Sequence, residues 1–172
     1  MIRAAAQDAA RIARGAGGAA ARETRTNEGV ATIGYEGATP ARLIQTLHEA
    51  GIATLVDVRA LANSRRPGFA KRALSAALTE AGIGYVHMPA LGTPAEGRAA
   101  VRSGRPGVMR RIFGAHLKGA EAQAALADLA DRARREPVCL LCLEADPATC
   151  HRTLVAEAIG LPITHLHPQE AA

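Results

Sequence analysis

Residues 138–143, Val-Cys-Leu-Leu-Cys-Leu, form an apolar run of strand length with no polar alternation. A strand with two apolar faces must be covered on both sides. That points to a parallel sheet held between helices rather than to a half-solvated antiparallel one. The run breaks at Ala145-Asp146-Pro147, and apolar residues return at helical spacing with Leu154, Val155, Ala158 and Ile159. The stretch therefore reads as buried strand, tight turn and helix start. Residues 53–59, Ala-Thr-Leu-Val-Asp-Val-Arg, make the clearest second strand, apolar through Val56 and charged where it ends.

The rest of the chain alternates in the same way. Residues 30–34 are a short β-branched run, and Thr39-Pro40 reads as N-cap and first residue of a helix carrying Leu43, Ile44 and Leu47. Leu74, Ala77 and Leu78 mark a second helix, followed by a strand at 84–88. The Gly-, Pro- and Arg-rich segment from Leu91 to Gly107 is expected to be a lid or binding loop. A short amphipathic piece with Val108, Ile112, Phe113 and Leu117 comes next, then a helix over about 120–135 and a last strand at 163–166. The expected fold is α/β: a single open, mainly parallel sheet of about five strands with helices on both faces, a Rossmann-like three-layer arrangement.

A chain of 172 residues suffices for one such domain, placed at residues 29–172. Residues 1–28, rich in Ala, Gly and Arg, read as a flexible extension outside it. A bacterial extension, or a start assigned too early, fits them better than a mitochondrial presequence. Three cysteines, no secretory signal and no apolar run of membrane length point to a reducing cytoplasm and no membrane partner. The net charge of +5 suits a phosphate-bearing partner. Glycine-rich phosphate loops of the Walker or dinucleotide type are absent. Aromatics make up only 2% of the chain, which argues against a platform for stacking single-stranded bases.

In open α/β sheets ligands gather beyond the carboxyl ends of the strands. Asp57, Arg59, Cys142, Glu144, His151 and Arg152 are expected to meet there. Asp57 and Arg59 leave their strand on one face. Arg65 and Arg66 follow in a loop, and Lys71-Arg72 opens a helix where cations oppose the dipole, so a bound anion would explain them. His151-Arg152 at a helix start fits a phosphate or oxyanion. The residues expected to hold substrate are thus Arg59, Arg65, Arg66 and Arg152, with Tyr35 and Glu36 beside them. Those expected to carry chemistry are His151, Glu144, Asp57 and Cys150, the last as a thiolate favoured by the helix dipole. A salt-bridge network of Asp57 and Glu144 with the arginines is the bland alternative.

Cys139-Leu-Leu-Cys142 has the redox-motif spacing, but residues three apart in a strand point to opposite faces, roughly 10 Å apart. Cys139 reads as core, and Cys142 shares a face with Glu144. Cys142, Cys150 and His151 with Glu144 or Asp57 would supply four zinc ligands. Adjacent Cys150 and His151 are not expected to point to one centre, however, and paired Cys-x-x-Cys units are missing. No metal or cofactor is assigned, and zinc or another divalent metal stays as an alternative.

Thr32-Ile33-Gly34-Tyr35-Glu36-Gly37, Val56-Asp57-Val58-Arg59, Ser64-Arg65-Arg66-Pro67-Gly68-Phe69, Tyr85-Val86-His87, Leu91-Gly92-Thr93-Pro94 and Cys142-Leu-Glu144-x-Asp146-Pro147-x-x-Cys150-His151-Arg152 together resemble the DUF488 family of small bacterial and archaeal proteins. The resemblance implies an α/β fold and a site built from these motifs, and carries no reaction. Ala70 departs from it, standing where a small polar residue is expected before the basic pair. The expected function is an enzyme acting on a phosphate-bearing substrate, a nucleotide or a nucleic-acid end. The alternatives are a non-catalytic nucleotide or nucleic-acid binding module and a Cys/His metal-binding protein.

Overall fold

The computed structural model describes residues 29–168. The expected N-terminal extension lies outside them. Five strands, β1 Val30–Gly34, β2 Thr54–Asp57, β3 Gly84–His87, β4 Val138–Cys142 and β5 Ile163–Leu166, form one sheet in the order β3-β2-β4-β1-β5. Every neighbouring pair is parallel. The apolar run at β4 is the central strand of the sheet, and each of its five residues is buried. This is the two-sided cover that its composition demands.

Six helices supply that cover: α1 Pro40–Glu49, α2 Lys71–Glu80, α3 Ala95–Arg102, α4 Pro106–His116, α5 Ala120–Arg135 and α6 His151–Ala158. Helices α1 and α2 pack Leu43, Leu47, Leu74 and Leu78 on one face of the sheet, against Ile33, Leu55, Cys139 and Leu141. The other four pack Met109, Phe113, Leu129 and Val155, among others, against Val56, Val138 and Leu140 on the opposite face. Strand alternation thus sends Cys139 into one core layer and Cys142 towards the other, and all three cysteines are free thiols. Burial pushes the Cys139 thiol well above its usual range.

Strands β1 and β2 are each followed by a helix on one face, whereas β4, lying between them, is followed by α6 on the other. The chain therefore parts to opposite sides at the carboxyl end of β4 and opens a crevice there. The crevice depends on a close approach: a Cβ on Gly34 would lie 1.9 Å from the Glu144 carbonyl oxygen, so only glycine lets β1 end beside the β4 exit loop.

The segment expected to be a lid is instead helical. Pro94 is the N-cap of α3, Pro106 is the first residue of α4, and Gly104 turns between them at φ 69°. Its prolines and glycines punctuate two short helices rather than compose a loop. Elsewhere the helix boundaries follow their caps. The Thr39 hydroxyl accepts from the Arg42 amide at 3.3 Å to start α1.

Ala70, the departure noted in the sequence, is the N-cap of α2 and makes no side-chain cap bond. Its backbone is already extended (φ −68°, ψ 145°), as an N-cap requires. Ala70→Ser should therefore add the missing acceptor and stabilise the protein by about 0.5–2 kcal/mol in urea melts. No gain would mean that the α2 amides are satisfied in another way.

Candidate functional site

The exit of β4 carries the densest chemistry. Cys142 ends the strand, Glu144 follows in the loop, and Cys150 caps α6, whose first residue is His151. The Glu144 Oε2 lies 3.1 Å from the Cys142 Sγ and 2.9 Å from the Cys150 Sγ, so it accepts from both thiols. The His151 Nδ1 lies 3.5 Å from the Cys142 sulfur and 4.0 Å from that of Cys150. Its Nε2 is 2.9 Å from the Val58 carbonyl oxygen, which can only accept, so Nε2 carries a hydrogen and donates it.

Cys150 and His151 converge although they are adjacent, contrary to the expectation. Cys150 has extended backbone (φ −106°, ψ 143°), while His151 is already helical. The change of conformation between them swings both side chains to one side. The depressed Cys150 pKa expected from the helix dipole is also corrected. Burial, then the Cys142 sulfur, push this thiol well above its ordinary value. Burial opposes charge on Glu144 too, but the two thiol hydrogen bonds outweigh it and hold the carboxyl below its usual range. Burial likewise opposes the His151 cation, and contact with Cys150 and Val58 more than offsets it, raising the imidazole.

Three expected site residues serve the scaffold. Arg152 is fully buried, and its guanidinium donates to the Glu144 carbonyl, to the Ala145 carbonyl at 3.1 Å and to the Thr32 hydroxyl at 3.3 Å. It therefore faces neither the Glu144 carboxylate nor the crevice. The Glu36 carboxylate accepts from the Ala145 amide at 3.0 Å, clamping the same loop from the β1 side. Asp57 is fully buried and takes two bonds from the Arg59 side chain, at 2.8 and 2.6 Å, plus one from the Tyr85 hydroxyl at 2.6 Å. A carboxylate saturated in this way is a poor general base, and the ion pair realises the Asp57 part of the salt-bridge alternative, while the Glu144 carboxylate accepts from thiols instead. Burial and the Asp57 bond hold the Tyr85 phenol well above its usual range.

The remaining expected residues do meet. A pocket of about 560 Å³ lies over the crevice and is lined by Cys142, Glu144 and His151 on one side and by Tyr35, Arg59, Arg65 and Arg66 on another. Tyr35 is stacked on Phe69 with ring centroids 4.4 Å apart, and its hydroxyl accepts from Arg59 at 3.0 Å. Arg66 donates to the Ala38 carbonyl, with its guanidinium over the Phe69 ring. Arg98 and Arg102 of α3 also line the pocket and were missed, because their segment read as an irregular lid. The signal was there: Arg98 and Arg102 are four apart, one helical turn, and so share a face. Lys71 and Arg72, expected to share an anion with Arg65 and Arg66, are exposed and do not line it.

These roles separate on substitution. Arg152→Gln should lower stability by about 1–3 kcal/mol, because buried carbonyls lose their donor, and leave the salt dependence of anion binding as in wild type. An Arg152 that held the ligand would do the reverse. Asp57→Asn should cost about 3–5 kcal/mol, since it strands the buried Arg59 charge. Chemical denaturation of both variants measures the two losses, and an Asp57→Asn protein as stable as wild type would refute the ion-pair role.

No curated protein and no solved structure matches the chain. The family model described as "Domain of unknown function DUF488" matches residues 39–159, from the N-cap of α1 to the C-cap of α6. With the β4–α6 site inside the matched span, the chain belongs to the DUF488 family.

Proposed function

We propose that the pocket binds a small phosphate-bearing substrate, such as a nucleotide, and that the protein is an enzyme acting on it. One observation carries the reading: five arginines (Arg59, Arg65, Arg66, Arg98 and Arg102) line a single pocket whose only acidic lining residue, among those described, is Glu144. Arg59 is neutralised by Asp57, and Arg98 is engaged by the Thr93 carbonyl at 2.7 Å. Arg65 and Arg102 are exposed and form no ion pair among the described residues. They are the natural phosphate ligands, with Arg66 beside them.

The volume suits a ligand of nucleotide size rather than a nucleic-acid duplex. The placing of Glu144 favours catalysis over simple recognition. A pure anion-binding face gains nothing from a carboxylate in its lining, whereas a reaction site needs a proton acceptor there. His151, tied to Val58 through Nε2, supplies a second proton-carrying group next to it.

The first test is calorimetric titration with orthophosphate and a panel of nucleoside mono-, di- and triphosphates at two salt concentrations. Arg65→Ala and Arg102→Ala should each weaken binding by about 1.5–3 kcal/mol, the usual worth of a charge-assisted hydrogen bond. Glu144→Gln should hold or raise the affinity and abolish turnover of the bound compound. Wild-type protein that binds no phosphate compound at low salt would overturn the reading.

A further inference from the structure

We propose that Cys142, Glu144, Cys150 and His151 are the ligands of a zinc ion set into the wall of the pocket. The inference rests on the side-chain geometry and holds whether or not the pocket takes a phosphate; with zinc bound, Glu144 and His151 are its ligands, and the proton-transfer roles proposed for them above are given up. Each of the four residues offers one ligand atom, and these atoms all lie within 4.8 Å of one another. The edge of a tetrahedron of zinc ligands is roughly 3.3–3.8 Å, from the usual Zn–S, Zn–N and Zn–O lengths. The Nδ1–Sγ separation of 3.5 Å falls within that range and the other, 4.0 Å, just above it, while the two Sγ–Oε2 separations, 3.1 and 2.9 Å, need to open by roughly half an ångström.

The surroundings fit the same role. Metal-bound histidines usually give their second ring N–H to a carbonyl or carboxylate that fixes the ring. Here the Val58 carbonyl takes the Nε2 hydrogen, so Nδ1 is the nitrogen left to face the sulfurs. Both thiols are buried, at 4% and 1% exposure, and a metal that replaces their protons would supply the positive charge that burial otherwise denies a thiolate. Binding zinc would displace the two thiol protons to solvent; the two thiolates neutralise the dication, and the Glu144 carboxylate leaves the site with one net negative charge. The Arg152 amide, 3.5 Å from the Cys150 sulfur, favours the thiolate further. Two sulfurs and an imidazole select zinc over magnesium, calcium or manganese, which prefer all-oxygen sites. Glu144, which lines the pocket with Cys142 and His151, is half-buried and so the most exposed of the four.

The experiment uses the full chain, untagged, freshly reduced and dialysed against metal-free buffer, with zinc or cobalt(II) as the sole additive. Elemental analysis should find about one zinc per chain. Cobalt(II) should give the intense visible bands of a tetrahedral site together with sulfur-to-cobalt charge transfer. Cys150→Ser and His151→Ala should bring bound zinc down to near background, while Cys139→Ala, on the other face of the sheet, keeps it. Should those variants unfold by circular dichroism, alkylation of wild type decides the matter. Zinc should protect Cys142 and Cys150, and a chelator should expose them. Wild type that takes up neither zinc nor cobalt would overturn the site, as would cobalt bands without sulfur charge transfer, thiols that zinc leaves unprotected, or zinc retained by folded Cys150→Ser.

Discussion

The Arg152 guanidinium bridges α6, β1 and the loop leaving β4, and the remainder of the site is built on that bridge. It donates to two successive main-chain carbonyls, those of Glu144 and Ala145, and to the Thr32 hydroxyl within β1. A loop carries main-chain polar groups that must be satisfied if it is to lie against a sheet edge. Arg152 satisfies two of them, and the Glu36 carboxylate takes a third, the Ala145 amide. Without these donors and acceptors the loop would swing out to water. The Glu36 amide holds the chain one residue earlier, at the Leu143 carbonyl (2.8 Å), so Glu144 itself would lose its fixed place beside the sulfurs of Cys142 and Cys150.

A second buried charge, Arg59, shapes the opposite wall. Its side chain is closed into a ring of partners made of Asp57, the Tyr35 hydroxyl and the Phe69 carbonyl. Burial works against the guanidinium charge, but the Asp57 bonds more than compensate, and its pKa is raised. The pair is a weak source of net stability, because both charges have left water, yet it is intolerant of losing one member. Its structural consequence is positional. It ties β2 to the loop that bears Arg65 and Arg66, while the Arg59 carbonyl receives the His87 imidazole of β3 at 2.8 Å.

Between these two anchors the pocket divides into a cationic rim and a soft, sulfur-containing wall. The arginines come from the β2 exit and from α3, whereas the thiols, carboxylate and imidazole come from the β4 exit and α6. The two halves lie on adjacent strands that part to opposite faces, which is what lets groups of such different chemistry share one crevice. No helix among the described residues is long and apolar enough to cross a membrane.

The alternation of apolar strands with amphipathic helices was legible in the sequence, because the 2.0 and 3.6 periodicities are local properties. Residues 138–142 and 163–166 read as the strands they are, and the α5 helix runs over residues 120–135 as its apolar spacing implies. The opposite faces of Cys139 and Cys142 follow from the same local geometry. What stayed hidden was set by contacts distant along the chain. Arg152 and Asp57 look like site residues because they are charged and stand at strand and helix ends. Only packing shows that one is spent on carbonyls and the other on a guanidinium. The meeting of Cys150 with His151 depends on a single change of backbone conformation at a helix cap, and the sharing of one pocket by Arg65 and Arg102 depends on where α3 packs beside α4. Residue type and spacing determined which chemistry was present, and the tertiary structure decided which groups face one another, because burial and hydrogen-bond saturation are settled only when distant segments pack.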